Sequence, residues 1–446
     1  MDRQLTGKYV VLAVAAIAGL VTVMCVGLVA AVLVARTGDE ASPATERLVD
    51  VVDRIAFVGN DGNLYMIDRN GENIEYLAVG EVGTALDHPT WSPDGQRVAF
   101  VARREAENGV ESILYTVSTT GDKPATLYAS VENPAFYMYW SPDSRYISFL
   151  TQEDTDLALR LAPANGSEAA RVLERGAPFY WSWSPDSQEM LLHVGGARRL
   201  NQEARLALLV GQPESTVDVL DDAPADFQAP AWSPDGNRLL YAAENELGRR
   251  ALYVRQRDSG VVQKLIDVSG VVRFDWSPDG QWIAYQQISD PRIAPLGHVF
   301  LMRGDGSDWR RLSRDWAVAL FWSPDSQHLA ILSPSLDEDD PSARTAGLAS
   351  PLPQADGLLL RWWLVDMPDG EIRPLVRFRP SRSLLTIIPY FDQYGQSIRF
   401  WSPDSRYLLY SVRESLQESG IWVADVNGEE PPRRLTDGSA AVWSWK

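Results

Sequence analysis

The sequence predicts an all-β fold, an eight-bladed β-propeller closed by its own C-terminal strand and preceded by one transmembrane helix. Three observations carry this. A tryptophan-led turn motif returns seven times; a second, glycine-containing turn returns eight times; and the last residues repeat the text that elsewhere precedes the motif.

The first element is Trp91-Ser92-Pro93-Asp94-Gly95. It recurs from Trp140, Trp183, Trp232, Trp276, Trp322 and Trp401, at intervals of 43 to 49 residues with one gap of 79. A fixed period of this size marks a repeat architecture in which units bury their apolar faces against one another. Proline presets φ, aspartate bonds back to its local backbone, and glycine or serine closes a tight reversal between strands. The carboxylates Asp94, Asp143, Asp186, Asp235, Asp279, Asp325 and Asp404 occupy one equivalent corner in seven units, which reads as turn capping rather than paired acid–base chemistry. The preceding tryptophan supplies a broad apolar surface for a neighbouring unit.

The second element follows each third strand: Asn70-Gly71, Thr120-Gly121, Asn165-Gly166, Val210-Gly211, Ser259-Gly260, Asp305-Gly306, Asp369-Gly370 and Asn427-Gly428. Glycine accepts the positive φ of short hairpins. Eight such turns against seven motifs leave the first unit without an opening strand. The third element, Ala441-Val442-Trp443-Ser444-Trp445, parallels Tyr180-Trp181-Ser182-Trp183 and is expected to supply that strand, clasping the ring and protecting both edges. Seven blades is the alternative count.

These repeats, spanning residues 54–446, resemble the WD-like propeller repeats of the TolB-like superfamily, also found in prolyl oligopeptidase and dipeptidyl-peptidase relatives. The resemblance implies the propeller fold. Neither the N-terminal α/β domain of TolB nor a hydrolase domain accompanies it in this sequence, so it implies little about activity.

Ahead of the repeats, Tyr9 to Ala35 form 27 residues without a charge. As a helix this run spans about 40 Å, more than the roughly 30 Å of a bilayer core. Arg3 and Lys8 precede it, while Asp39, Glu40 and Glu46 follow, so the positive-inside tendency places residues 1–8 in the cytoplasm and the repeats outside. The run exceeds the apolar length of a cleaved signal peptide. Cys25, the only cysteine, excludes an intramolecular disulfide and cysteine metal clusters. Residues 36–53 read as a linker entering the first blade through a second-type strand, an arrangement that turns the short-turn face toward the membrane.

Net charge is −19, which argues against nucleic acid or anionic lipid as the main partner. His88, His193, His298 and His328 show no close pairing. Nucleotide-binding, zinc-protease and G-x-S-x-G signatures are missing, so no catalytic, metal or cofactor residue is assigned. Function is expected on the loops opposite the short turns, above all Ser333 to Arg361 and Arg379 to Gln396, the latter expected as a lengthened connection between blades. Asp337, Asp339, Asp340, Tyr390, Phe391 and Tyr394 are the candidate partner patch. The expectation is a non-enzymatic scaffold binding a protein or peptide in the cell envelope. The alternatives are a funnel-site lyase or hydrolase, or a glycan or small-molecule sensor.

Overall fold

The computed structural model describes residues 53–80, 83–196, 203–210, 215–225, 228–245, 247–289, 296–313, 316–335 and 358–446. The N-terminal apolar run and the linker up to residue 52 lie outside these, as does the Ser333 to Arg361 insertion from 336 to 357. Among the described residues no helix is long and apolar enough to cross a membrane.

Eight antiparallel sheets follow one another along the chain, seven of four strands and one of three. The structure is an eight-bladed propeller. The C-terminal strand Ala440–Trp443 is the innermost strand of blade 1, pairing with Arg54–Val58 so that Ile55 faces Trp443 and Val58 faces Ala440. The clasp is reinforced at its ends. Asp53 N–H donates to the Lys446 carbonyl at 2.6 Å, Ser444 N–H to the Arg54 carbonyl at 2.8 Å, and the Trp443 indole to Asp53 Oδ1 at 2.7 Å.

Each motif turn solves the same local problem in the same way. The serine Oγ donates to the aspartate carboxylate, at 2.6 Å in Ser92–Asp94 and 2.5 Å in Ser141–Asp143. That Oγ also accepts the N–H of the first residue of the next strand, Arg97 and Tyr146 at 2.9 and 3.0 Å. The fifth residue sits in the left-handed region in all seven copies, with φ between 61° and 74°. Glycine adopts this freely; serine does so at a cost. The seven glycine turns within the described residues likewise carry positive φ, for example 84° at Gly71 and 71° at Gly428.

The blades are tied together by the motif tryptophans. The indoles of Trp91, Trp140, Trp232 and Trp401 donate to the carbonyls of Val442, Thr90, Ser182 and Phe321, at 3.1 to 3.2 Å. Each acceptor is the residue just before the last residue of a neighbouring inner strand. Large rings and directed N–H groups thus fix blade against blade. Trp183 instead donates to Ser148 Oγ.

Candidate functional site

Blade 8 departs from the pattern. Its sheet holds only Tyr407–Arg413, Ser419–Asp425 and Arg433–Asp437. In place of an innermost strand, two isolated pairings remain, Pro380 with Val412 and Trp401 with Leu408. Val412 to Leu408 is four residues on one side and Pro380 to Trp401 is twenty-one on the other, so seventeen residues are extruded from the middle of an inner strand. The segment from Arg379 to Gln396 is therefore an excursion within a strand. It is not a lengthened connection between blades on the loop face.

The excursion folds as a helix α1 (Arg382–Ile387), a 3-10 turn (Ile388–Tyr390) and a single helical turn α2 (Phe391–Tyr394). Ser381 caps α1 by accepting the Leu384 N–H at 3.2 Å, satisfying one of the open N–H groups of the first turn. The same hydroxyl donates to the Ser439 carbonyl beside the clasp.

From there the segment meets inner-strand residues all around the ring. Tyr394 stacks on His88 of blade 2 at 5.8 Å and meets Tyr137 of blade 3 edge-on at 4.8 Å. Gln396 donates to the Trp181 carbonyl of blade 4. Asp392 faces Arg273 of blade 6 at 3.7 Å. Phe391 lies under the Arg273 guanidinium at 5.7 Å and edge-on to Phe321 of blade 7 at 5.9 Å. Thr90 of blade 2 donates to the Ser397 carbonyl at 2.6 Å. A single segment touching the inner strands of blades 2, 3, 4, 6 and 7 lies across the central channel. It is a plug.

The seat of this plug is specialised. His88, Tyr137 and Arg273 each stand three residues before the motif tryptophan of their blade. His88 and Tyr137 adopt φ of 53° and 43°, and each marks a place where one extra residue bulges out of the strand pairing. A bulge redirects a side chain at the expense of local strain, of order 1–3 kcal/mol for a non-glycine left-handed residue. Both side chains so redirected contact Tyr394.

The seat buries charged groups. Asp392 and Arg273 retain only 4% and 12% side-chain exposure. Arg273 Nη1 and Asp392 Oδ1 have no hydrogen-bond partner among the described residues. Burial raises the Asp392 carboxyl, against the pull of Arg273 and nearby backbone N–H groups. For Asp87, burial is outweighed by His88, whose Nδ1 lies 2.9 Å away, and by Arg103, which together bring the carboxyl down to about 2. Asp275, two residues beyond Arg273, is exposed by accessible surface, yet protein is dense around it on the inner side of the ring. That crowding pushes its carboxyl up to about 7, against one hydrogen bond from the Trp276 N–H.

Of the six residues of the expected partner patch, the three described ones, Tyr390, Phe391 and Tyr394, lie in the plug and not on the loop face. Asp337, Asp339 and Asp340 lie outside the described residues. Phe391 is buried, at 3% exposure, and Tyr390 and Tyr394 pack against Tyr137 inside the ring. The aromatic cluster belongs to the plug because apolar side chains on an excursion into a channel find closer partners there than on the rim. Tyr137, Arg273 and Asp392 were not identified from sequence. Nothing in a local pattern signals that a strand has been interrupted inward. Among the described residues no group of three His, Cys, Asp or Glu side chains is placed to hold a metal ion.

No protein-family model matches the chain. It is 26% identical over 217 residues to the uncharacterized peptidase YuxL of Bacillus subtilis, covering 45% of this chain and 29% of that protein. It is 36% identical over 59 residues to the Tol-Pal system protein TolB of Alcanivorax borkumensis, covering 13% of this chain and 14% of that protein. The chain thus spans less than a third of the length of either relative. Among solved structures, TolB from Acinetobacter baumannii is 12% identical, covering 86% of this chain and 78% of that one, with a TM-score of 0.37. An oligogalacturonate lyase solved in complex with manganese is 14% identical, covering 83% of this chain and 95% of that one, with a TM-score of 0.47.

Proposed function

We propose that this chain is a membrane-anchored, extracytoplasmic propeller that binds a protein or peptide in the cell envelope without catalysing a reaction. One observation carries the reading. The ring already holds a peptide-like segment, its own residues 382–398, through non-covalent contacts drawn from five other blades. The same scaffold that seats one segment suits the recognition of another. The anchor rests on the uncharged run Tyr9 to Ala35 and its flanking charges.

The test is crosslinking in intact cells with the full chain as bait, read by mass spectrometry, alongside protease accessibility of the propeller from outside. Enrichment of one extracytoplasmic protein, reduced by deleting 336–356 or by filling the loop face, supports the scaffold. Protection of the propeller from external protease, or no enrichment over an unrelated anchored control, sinks it.

A funnel-site enzyme is the second reading, favoured by the His88–Asp87 pair beside Tyr394 and Tyr137. A hydrolase or lyase activity lost in His88→Ala, with folding intact, would establish it over the scaffold.

A further inference from the structure

We propose that the central channel is a peptide-binding seat which the chain fills with its own residues 382–398, and that a partner segment of aromatic–carboxylate–any–aromatic order replaces them. This deepens the peptide-binding reading above by naming the seat and the chemistry it selects.

The plug shows what the seat recognises. In Phe391-Asp392-Gln393-Tyr394, the first ring fits between Phe321 and the Arg273 guanidinium. The carboxylate is directed at Arg273. The second ring fits between His88 and Tyr137. Two aromatic slots flanking one buried cation make a recognition pattern, since aromatic anchors and a desolvated arginine dominate binding energy in protein interfaces.

The plug is also an imperfect occupant. Its ion pair is buried at 3.7 Å, longer than a hydrogen bond, with a nitrogen of Arg273 and an oxygen of Asp392 left without hydrogen-bond partners among the described residues. Burying charges without completing their hydrogen bonds is costly. His88 and Tyr137 add left-handed backbone strain at the same contacts. The plug's own helices are six and four residues long, too short to persist apart from the seat. It joins blade 8 where that blade already has pairing on both sides, Pro380 with Val412 and Trp401 with Leu408. Withdrawal of residues 382–398 breaks neither of these pairings, while it takes Leu384, Ile387, Ile388, Phe391 and Ile398 out of the core. A better-fitting peptide would relieve the unmet hydrogen bonds and compete with a tethered but poorly paired segment.

The experiment joins Ser381 to Arg399 in the full chain, deleting the seventeen extruded residues, and titrates it with a fluorescent synthetic peptide of residues 382–398. The shortened chain is expected to bind saturably, the unmodified chain at least tenfold more weakly because its seat is filled, and the shortened chain carrying Arg273→Gln at least tenfold more weakly. A folded shortened chain that ignores the peptide, or that binds it equally with and without the Arg273→Gln substitution, overturns the proposal while leaving the envelope-scaffold reading standing on its crosslinking result. If the shortened chain does not fold, hydrogen exchange on the unmodified chain decides. Amides of 384–398 exchanging at least a hundredfold faster than those of Ala319–Trp322 support a displaceable plug, and equal protection overturns it.

Discussion

Ser144 Oγ accepts the backbone N–H of Asp94 at 3.0 Å, joining the turn of one blade to the turn of the blade before it. The same bond links Ser187 to Asp143, Ser326 to Asp279 and Ser405 to Asp325, at 2.9 to 3.0 Å. Where the fifth motif residue is glycine this tie is lost, and backbone freedom is gained instead. The interchange of serine and glycine at this position is thus a choice between an inter-blade hydrogen bond and an unstrained turn.

Ser144→Ala keeps the left-handed φ of 62° and removes the acceptor, so it is expected to cost about 1–2 kcal/mol. Ser144→Gly removes the same bond but relieves the backbone, so it should cost clearly less. Chemical denaturation of the two variants compares them, and equal losses would show that the hydroxyl does not tie the blades.

Removing residues 440–446 deletes the inner strand of blade 1 and exposes the edge of Arg54–Val58. The expected result is loss of cooperative unfolding together with self-association, seen by thermal melts and size-exclusion chromatography. Trp443→Ala, at 1% exposure, is a milder form of the same lesion, expected at about 3–5 kcal/mol.

Arg273→Leu leaves the Asp392 carboxylate buried without its counter-charge, and a loss of about 3 kcal/mol is expected. Adding Asp392→Asn should recover a large part of it, because the remaining group is neutral. A double-mutant cycle measured by denaturation gives the coupling directly. Strict additivity would mean that the pair does not interact.

Asp275 predicts a pH dependence. Its carboxyl is raised in the folded chain from an ordinary value near 3.8 to about 7, so the folded state holds a proton that the unfolded state releases. The resulting destabilisation is absent below about pH 4, grows as pH rises through the interval, and is complete above about pH 7. Asp275→Asn should therefore gain stability relative to the parent at pH 8 and little at pH 4. Melting temperatures across that range check it, and a difference independent of pH would refute the shift.

How much of this was legible differs by element. The motif corners announce themselves because Ser92, Pro93, Asp94 and Gly95 satisfy their turn within five residues, so the physics is local and the text repeats. The clasp was legible for a related reason, since Trp443 and Trp445 repeat a pattern whose partner was visibly missing from the first blade. The plug was not. Residues 379–396 read as a long connection because their aromatic and polar mixture is equally compatible with a rim loop, and only the split pairing at Pro380 and Trp401 reveals the excursion.

By itself the sequence determined the repeat, the turn chemistry and the manner of ring closure and favoured eight blades over seven, all set by contacts within a unit or between identical units. Only the tertiary structure decided that the channel is filled, that His88, Tyr137, Arg273 and Asp392 meet on its axis, and that Phe391 is a core residue. These depend on where eight separately encoded strands converge. No local pattern encodes that point, because the residues meeting there are as far apart in the chain as His88 and Tyr394 and are brought together by closure of the ring alone.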